Sequence, residues 1–193
     1  GNDWINMEFA AFEKDKGDWS KAEYIDWNME DIPWRYNDMK IIIPNETFDC
    51  IWASHIFEHF TYRKLQNVIQ ECHRVLKSNA PMRVVCPDPR KFWANWQQSN
   101  KQFVLDCYGQ QNWDRWNYEK YINIAFTDMF FPDHYDHQMV CSIDLVAMTC
   151  VRSGFSKVYE MTYYNTVFPQ FFGVGESSMD NRPNMSWFLE CTR

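Results

Sequence analysis

Two histidines, His55 and His59, stand in the run SHIFEHF directly after the apolar segment FDCIWA. Imidazole titrates near neutral pH, so either ring could take a proton from a substrate hydroxyl or amine. Glu58 between them reads as a structural or solvent-exposed helix residue. Asp88, in Pro87-Asp88-Pro89, puts a carboxylate at the end of a second apolar run, as a proton acceptor or as a turn residue. Asp133, His134, Asp136 and His137 form the motif DHYDH. Such donors suit a divalent metal. They are crowded, however, and no distant ligand set is evident, so a polar loop without a metal is expected, with His137 lining a pocket.

These groups need elements to hold them. Residues 4–9 alternate apolar and polar and predict a short strand that ends near Glu8; residues 24–28 predict another, ending at Asn28. Residues 35–46 read as an inserted loop with an apolar clip at Ile41 to Ile43. Residues 48–54 predict a buried strand. Leu65, Val68, Ile69, Cys72, Val75 and Leu76 recur at helical spacing, giving one apolar face. Lys77 is expected in the last turn, and Ser78-Asn79 is expected to stop the helix, Asn tolerating the left-handed cap. Residues 82–86 predict the next strand, closed by Pro87-Asp88-Pro89. Residues 91–131 are aromatic-rich and read as helical pieces broken near Gly109. Ser142 suits an N-cap for a helix through Arg152, with Gly154 at its end. Residues 157–163 and 187–191 predict two final strands.

Alternation of strands and helices predicts an α/β fold with a largely parallel sheet. Ligands of such folds bind beyond the carboxyl ends of the strands. That rule singles out Glu8, Asn28, Ser54 to His59, and Asp88. One domain over residues 1–193 is expected, with residues 91–140 as a helical insertion or cap. Of Phe92, Trp93, Trp96, Trp113, Trp116 and Tyr118, helical spacing favours core packing over a pocket lid.

Composition narrows the function classes. The net charge of −7 argues against general nucleic-acid binding, which rests on basic surface. The 7 cysteines are scattered without CxxC pairs, as expected of free reduced thiols. No apolar run approaches the ~18 residues of a membrane span, and no secretory signal opens the chain. A soluble cytoplasmic protein is expected.

The ordered motifs resemble the class I S-adenosylmethionine-dependent methyltransferases, most nearly a small bacterial type 11-like group. The resemblance is carried by Ile32-Pro33-Trp34, Thr47-Phe48-Asp49, Ala53-Ser54-His55-Ile56-Phe57-Glu58-His59, His73-Arg74-Val75-Leu76-Lys77 and Arg83-Val84-Val85-Cys86-Pro87-Asp88. Asp3-Trp4-Ile5-Asn6-Met7-Glu8 is similar to the family's second strand, residues 142–155 to its late helix, and Asp180-Asn181-Arg182 with Trp187 to Glu190 to its ending. Ser78-Asn79-Ala80 replaces the family's Pro-Gly-Gly, and Asn28 stands where many relatives have Asp.

The resemblance implies a Rossmann-like sheet and S-adenosylmethionine as cofactor. Glu8 is expected on the ribose hydroxyls, Asn28 and Met29 at the adenine, and Ala53 and Ser54 beside the cofactor. His55, His59 and Asp88 are expected at the methyl-transfer centre, and His137 and Trp93 near the substrate. The acceptor is expected to be a small molecule or a glycan. The first strand and its glycine-rich loop would lie before Gly1, so an incomplete sheet is expected, completed by another segment, a second copy or a partner. A catalytically inactive scaffold that binds a protein partner is the alternative.

Overall fold

A computed structural model describes residues 5–9, 23–27, 33–36, 41–116, 137–168 and 182–193 of the 193-residue chain. The strands are β1 (Ile5–Phe9), β2 (Glu23–Trp27), β3 (Arg35–Tyr36), β4 (Ile41–Ile42), β5 (Ile51–Ser54), β6 (Pro81–Pro87), β7 (Ser156–Met161) and β8 (Ser186–Thr192). The helices are α1 (Tyr62–Val75), α2 (Pro89–Gln97), α3 (Lys101–Trp116) and α4 (Ile143–Arg152), with a single 3-10 turn at Phe57–His59.

Four strands form a sheet in the order β5-β6-β8-β7. β5 and β6 are parallel, whereas β8 lies antiparallel between β6 and β7. Thus β5, β6 and β7 share one direction and β8 alone opposes them, which the expectation of a largely parallel sheet did not specify. β1 and β2 pair in parallel as a separate two-stranded ladder. Among the described residues no strand joins the two ladders, in keeping with the incomplete sheet expected.

Burial explains the sheet. Every residue of β6 and β8 is buried, while β7 is mostly exposed and forms the edge. Leu65, Val68, Ile69, Cys72 and Val75 of α1 are all sealed, as the periodicity predicted. Each such aliphatic side chain contributes about 1.5–3 kcal/mol by leaving water. α4 adds Val146 and Cys150 to the same core. All seven cysteines are free thiols.

One polar pair crosses this apolar sheet. Arg83 of β6 and Glu190 of β8 stand opposite each other in register, with Nη1 donating to Oε1 at 2.7 Å. Both are almost wholly buried, at 2% and 0% exposure. Arg83 also donates to the Asn165 carbonyl and lies over the rings of Trp52 and Phe188. Glu190 Oε2 accepts from the Val167 amide. The pair therefore ties the segment after β7 to the sheet.

The helix ends follow the sequence with one shift. α1 closes at Val75, because Leu76 turns extended and bridges to Phe48. Lys77 therefore lies past the helix, not in its last turn, and its ammonium meets Asp49 at 2.7 Å. Asn79 takes the left-handed conformation at φ 60°. β5 is also shorter than expected, since residues 48–50 precede the ladder. α3 is interrupted at Gly109 (φ 76°), where the sequence placed a break. Residues 33–36 and 41–47 dock on α1 through Glu71, which accepts from the Trp34 amide at 2.7 Å, and through Arg74, which donates to the Ile43 carbonyl. Within that loop β3 and β4 form a short antiparallel hairpin, and Ile43 is sealed.

α4 begins at Ser142, whose Oγ accepts from the Leu145 amide at 3.3 Å. It ends before Gly154, at φ 101°. A Cβ there would lie 2.9 Å from His73 Nε2, closer than van der Waals contact allows. Gly154→Ala should therefore lose about 1–2 kcal/mol from the left-handed backbone alone. Urea denaturation measures this, and an alanine variant as stable as the parent would contradict it.

Candidate active site

The site forms where β5 leaves the sheet. The His55 amide donates to the Val85 carbonyl at 2.8 Å, prolonging the β5–β6 ladder by one residue. His55 itself has φ 54°, a strained backbone for a side-chain-bearing residue. That left-handed step turns the chain into the 3-10 turn at Phe57–His59, where Phe57 is sealed in the core. The spacing then brings Glu58 back beneath the His55 ring.

The His55 imidazole sits between two partners. Its Nε2 is 3.0 Å from Ser186 Oγ, and its Nδ1 is 3.2 Å from Glu58 Oε1. Ser186 is the first residue of β8, paired in register with Pro87, and is fully buried. The imidazole thus joins the carboxyl ends of β5 and β6 to the start of β8. Ser186, sealed from solvent, orients the ring and does not present a nucleophile.

Glu58 is 2% exposed, which favours the structural over the solvent-exposed reading of it. Neither carboxylate oxygen has a hydrogen-bond partner; the approach of His55 is close but lacks hydrogen-bond geometry. Burial pushes this carboxyl up, but the adjacent His55 and then His59 outweigh that and hold it below the usual carboxylate range. Cys86 of β6 is sealed beside it, its thiol pushed well up by burial and by neighbouring Cys141 and Glu58.

His59 and His137 meet edge to face, with ring centroids 4.8 Å apart. Two hydrogen bonds bring the distant segment here: the Gln138 amide donates to the Glu58 carbonyl at 2.8 Å, and Trp187 Nε1 donates to the Cys141 carbonyl at 2.8 Å. Glu58, His59 and His137 each offer a ligand atom within 4.8 Å of the others. The sequence did not show that these three residues come together. Of the DHYDH motif only His137 is described; its other members lie outside the described residues.

The remaining predicted positions scatter. Ala53 is buried in register with Val84, and Ser54 ends β5 half-buried. Asp88 caps α2: its carboxylate accepts from the Arg90 amide at 2.9 Å and both oxygens receive the Arg90 guanidinium. That geometry favours the turn role over proton acceptance. Trp93 is 48% exposed and stacks on Trp96, so it is not the core residue that spacing favoured, whereas Phe92 is buried against Phe103. Asn28 and Met29 lie outside the described residues. Glu8 is the penultimate residue of β1, in register with Asp26 of β2. Two residues with local roles escaped the sequence reading. Ser186 carries no local signal, and Lys91 fixes the adjoining turn by donating to the Pro183 and Ser186 carbonyls.

Parallel strands ending beside a polar cluster, with one antiparallel strand inserted near the edge, define a Rossmann-like α/β fold. Residues 5–84 match the family described as methyltransferase domain. The fold is similar to that of a SAM-dependent methyltransferase from Archaeoglobus fulgidus, with a TM-score of 0.54 at 13% identity over 91% of this chain and 69% of that one. A possible exported protein from Bordetella parapertussis is similar too, with a TM-score of 0.50 at 6% identity over 90% of this chain and 45% of that one. So is an O-methyltransferase family protein from Burkholderia thailandensis, at 10% identity over 90% of this chain and 36% of that one, with a TM-score of 0.48. The chain spans less than half of the latter two proteins. No curated protein matches the sequence. Over residues 5–84 the chain matches the methyltransferase-domain family, and its fold is similar to that of a SAM-dependent methyltransferase.

S-adenosylmethionine is the cofactor of that class. β1 and β2 run in parallel and end side by side, with Glu8 one residue from the end. A carboxylate at such a strand end can accept from both ribose hydroxyls, as the acidic residue of dinucleotide folds does.

Proposed function

We propose that the chain transfers a methyl group from S-adenosylmethionine to an oxygen or nitrogen of a small molecule or glycan. The observation that carries this reading is the His55–Glu58–His59 cluster, set at the carboxyl end of β5 in a methyltransferase fold. Bound there, the cofactor supplies an electrophilic methyl on a sulfonium centre. Glu8 holds the ribose, and Asn28 and Met29 border the adenine. Ala53 and Ser54 line the approach from β5. His55 or His59 takes the proton that the acceptor sheds, and buried Glu58 stabilises the resulting imidazolium. His137 and the exposed ring of Trp93 bound the acceptor. Alignment of the two reactants supplies much of the acceleration, as orientation is worth several kcal/mol or more. The net charge of −7 disfavours a polyanionic acceptor such as nucleic acid.

Calorimetric titration with S-adenosylmethionine and S-adenosylhomocysteine tests the reading. Saturable binding is expected for both. Glu8→Ala should weaken it roughly 10- to 100-fold, the worth of about 1.5–3 kcal/mol for hydrogen bonds to a charged group. A folded sample that binds neither compound would sink the proposal. A binding sample justifies an acceptor screen with methyl-labelled cofactor.

A further inference from the structure

We propose that Glu58, His59 and His137 form a three-ligand site for a divalent transition-metal ion, with Zn²⁺ the best match, beside the carboxyl end of β5. Two imidazoles and a carboxylate make a borderline donor set that suits Zn²⁺ better than Ca²⁺ or Mg²⁺. Their ligand atoms lie within 4.8 Å of one another. In a tetrahedral site with bonds of about 2.0–2.2 Å, ligand atoms stand roughly 3.4 Å apart. Binding would require the three side chains to draw closer around the ion.

A second observation points to an ion independently of the clustering. Glu58 is 2% exposed, yet neither of its oxygens has a hydrogen-bond partner. Its one close partner among the described residues, His55 Nδ1 at 3.2 Å from Oε1, leaves Oε2 unsatisfied, and an ion is one of the few occupants that would complete such a buried carboxylate. The surroundings also have the layout of a metal centre. His55 Nδ1 lies 3.2 Å from Glu58 Oε1 while its Nε2 is held by Ser186 Oγ, as the outer partners of ligating carboxylates are. The Gln138 amide, bonded to the Glu58 carbonyl at 2.8 Å, fixes the segment that carries His137.

Three protein ligands leave a coordination position open, the mark of catalytic rather than structural zinc. An acceptor hydroxyl bound there would become more acidic and would shed its proton more readily, to solvent or a nearby base. This catalytic role rests on the methyl-transfer reading; metal binding itself does not.

The test uses the whole chain, stripped with a chelator and desalted. Zn²⁺ is titrated by calorimetry and Co²⁺ by visible absorption. One ion per chain is expected, and Co²⁺ should give weak d–d bands without an intense thiolate-to-cobalt band. Glu58→Gln and His137→Gln should each weaken Zn²⁺ binding by about 100-fold or more, because losing even an outer partner costs roughly 10–100-fold. His59→Gln, at a half-buried position, serves if a buried variant fails to fold by circular dichroism, and it must show the same loss. No binding to the folded parent overturns the proposal, as does undiminished binding in the folded variants. An intense thiolate band overturns it too, placing the ion on cysteines. Cofactor titration of the same samples keeps the two readings apart: a parent that binds S-adenosylmethionine but not Zn²⁺ refutes the metal site alone.

Discussion

Glu190→Gln should destabilise the chain by about 3–5 kcal/mol, the usual cost of removing one partner of a buried ion pair. The guanidinium of Arg83 would remain at 2% exposure, facing a neutral amide in the middle of the sheet. Glutamine keeps the volume and can still accept one hydrogen bond, so a loss in this range reports the stranded charge rather than a cavity. The Val167 amide, which donates to Glu190 Oε2, would be disturbed as well, loosening the segment after β7. The double variant Arg83→Met with Glu190→Leu should recover much of the loss, because well-packed apolar replacements of buried pairs are often neutral or stabilising. Urea denaturation of the parent, the single and the double variant completes the comparison. A single variant within 1 kcal/mol of the parent, on the order of an exposed pair's worth, would show that the pair is solvated and that the sheet is looser at this point than its burial implies.

Local signals were legible where one element suffices to generate them. The apolar face of α1, the Ser142 cap, the break at Gly109 and the left-handed Asn79 each follow from residues within a turn or two. The order of strands and helices was legible for the same reason, and the resemblance supplied the class of fold. Pairings between distant segments left no such trace. Nothing near Ser186 announces that its hydroxyl will orient His55, and nothing in DHYDH announces that His137 will meet His59. The sequence leaves Glu58 as a structural or a solvent-exposed residue, and its burial selects the first. The positive φ of His55 rolls the short run after β5 inward. Lys77 was placed in the helix because the apolar face continues through Leu76, whereas pairing of Leu76 with Phe48 ends the helix a residue earlier.

Those long-range contacts determine how the candidate site can be probed. His55 is both a backbone hinge and a side-chain bridge, so a careless substitution would damage the fold and the chemistry together. His55→Asn separates them. Asparagine is among the few residues that tolerate the left-handed conformation at φ 54°, so the turn into the Phe57–His59 segment should survive. Its amide cannot accept a proton near neutral pH, and it is too short to span from Ser186 to Glu58 as the imidazole does. The expected result is a folded protein that still binds S-adenosylmethionine, since Glu8 is unaltered. Its kcat on the acceptor found by screening should fall by about 10²–10⁴-fold, the usual worth of a positioned general base. His55→Ala should add a stability loss of about 1–2 kcal/mol, because alanine disfavours that backbone. Equal kcat in the parent and the asparagine variant would remove His55 from the chemistry and leave it a hinge. A drop in kcat with unchanged cofactor affinity and unchanged stability places it at the acceptor side of the reaction.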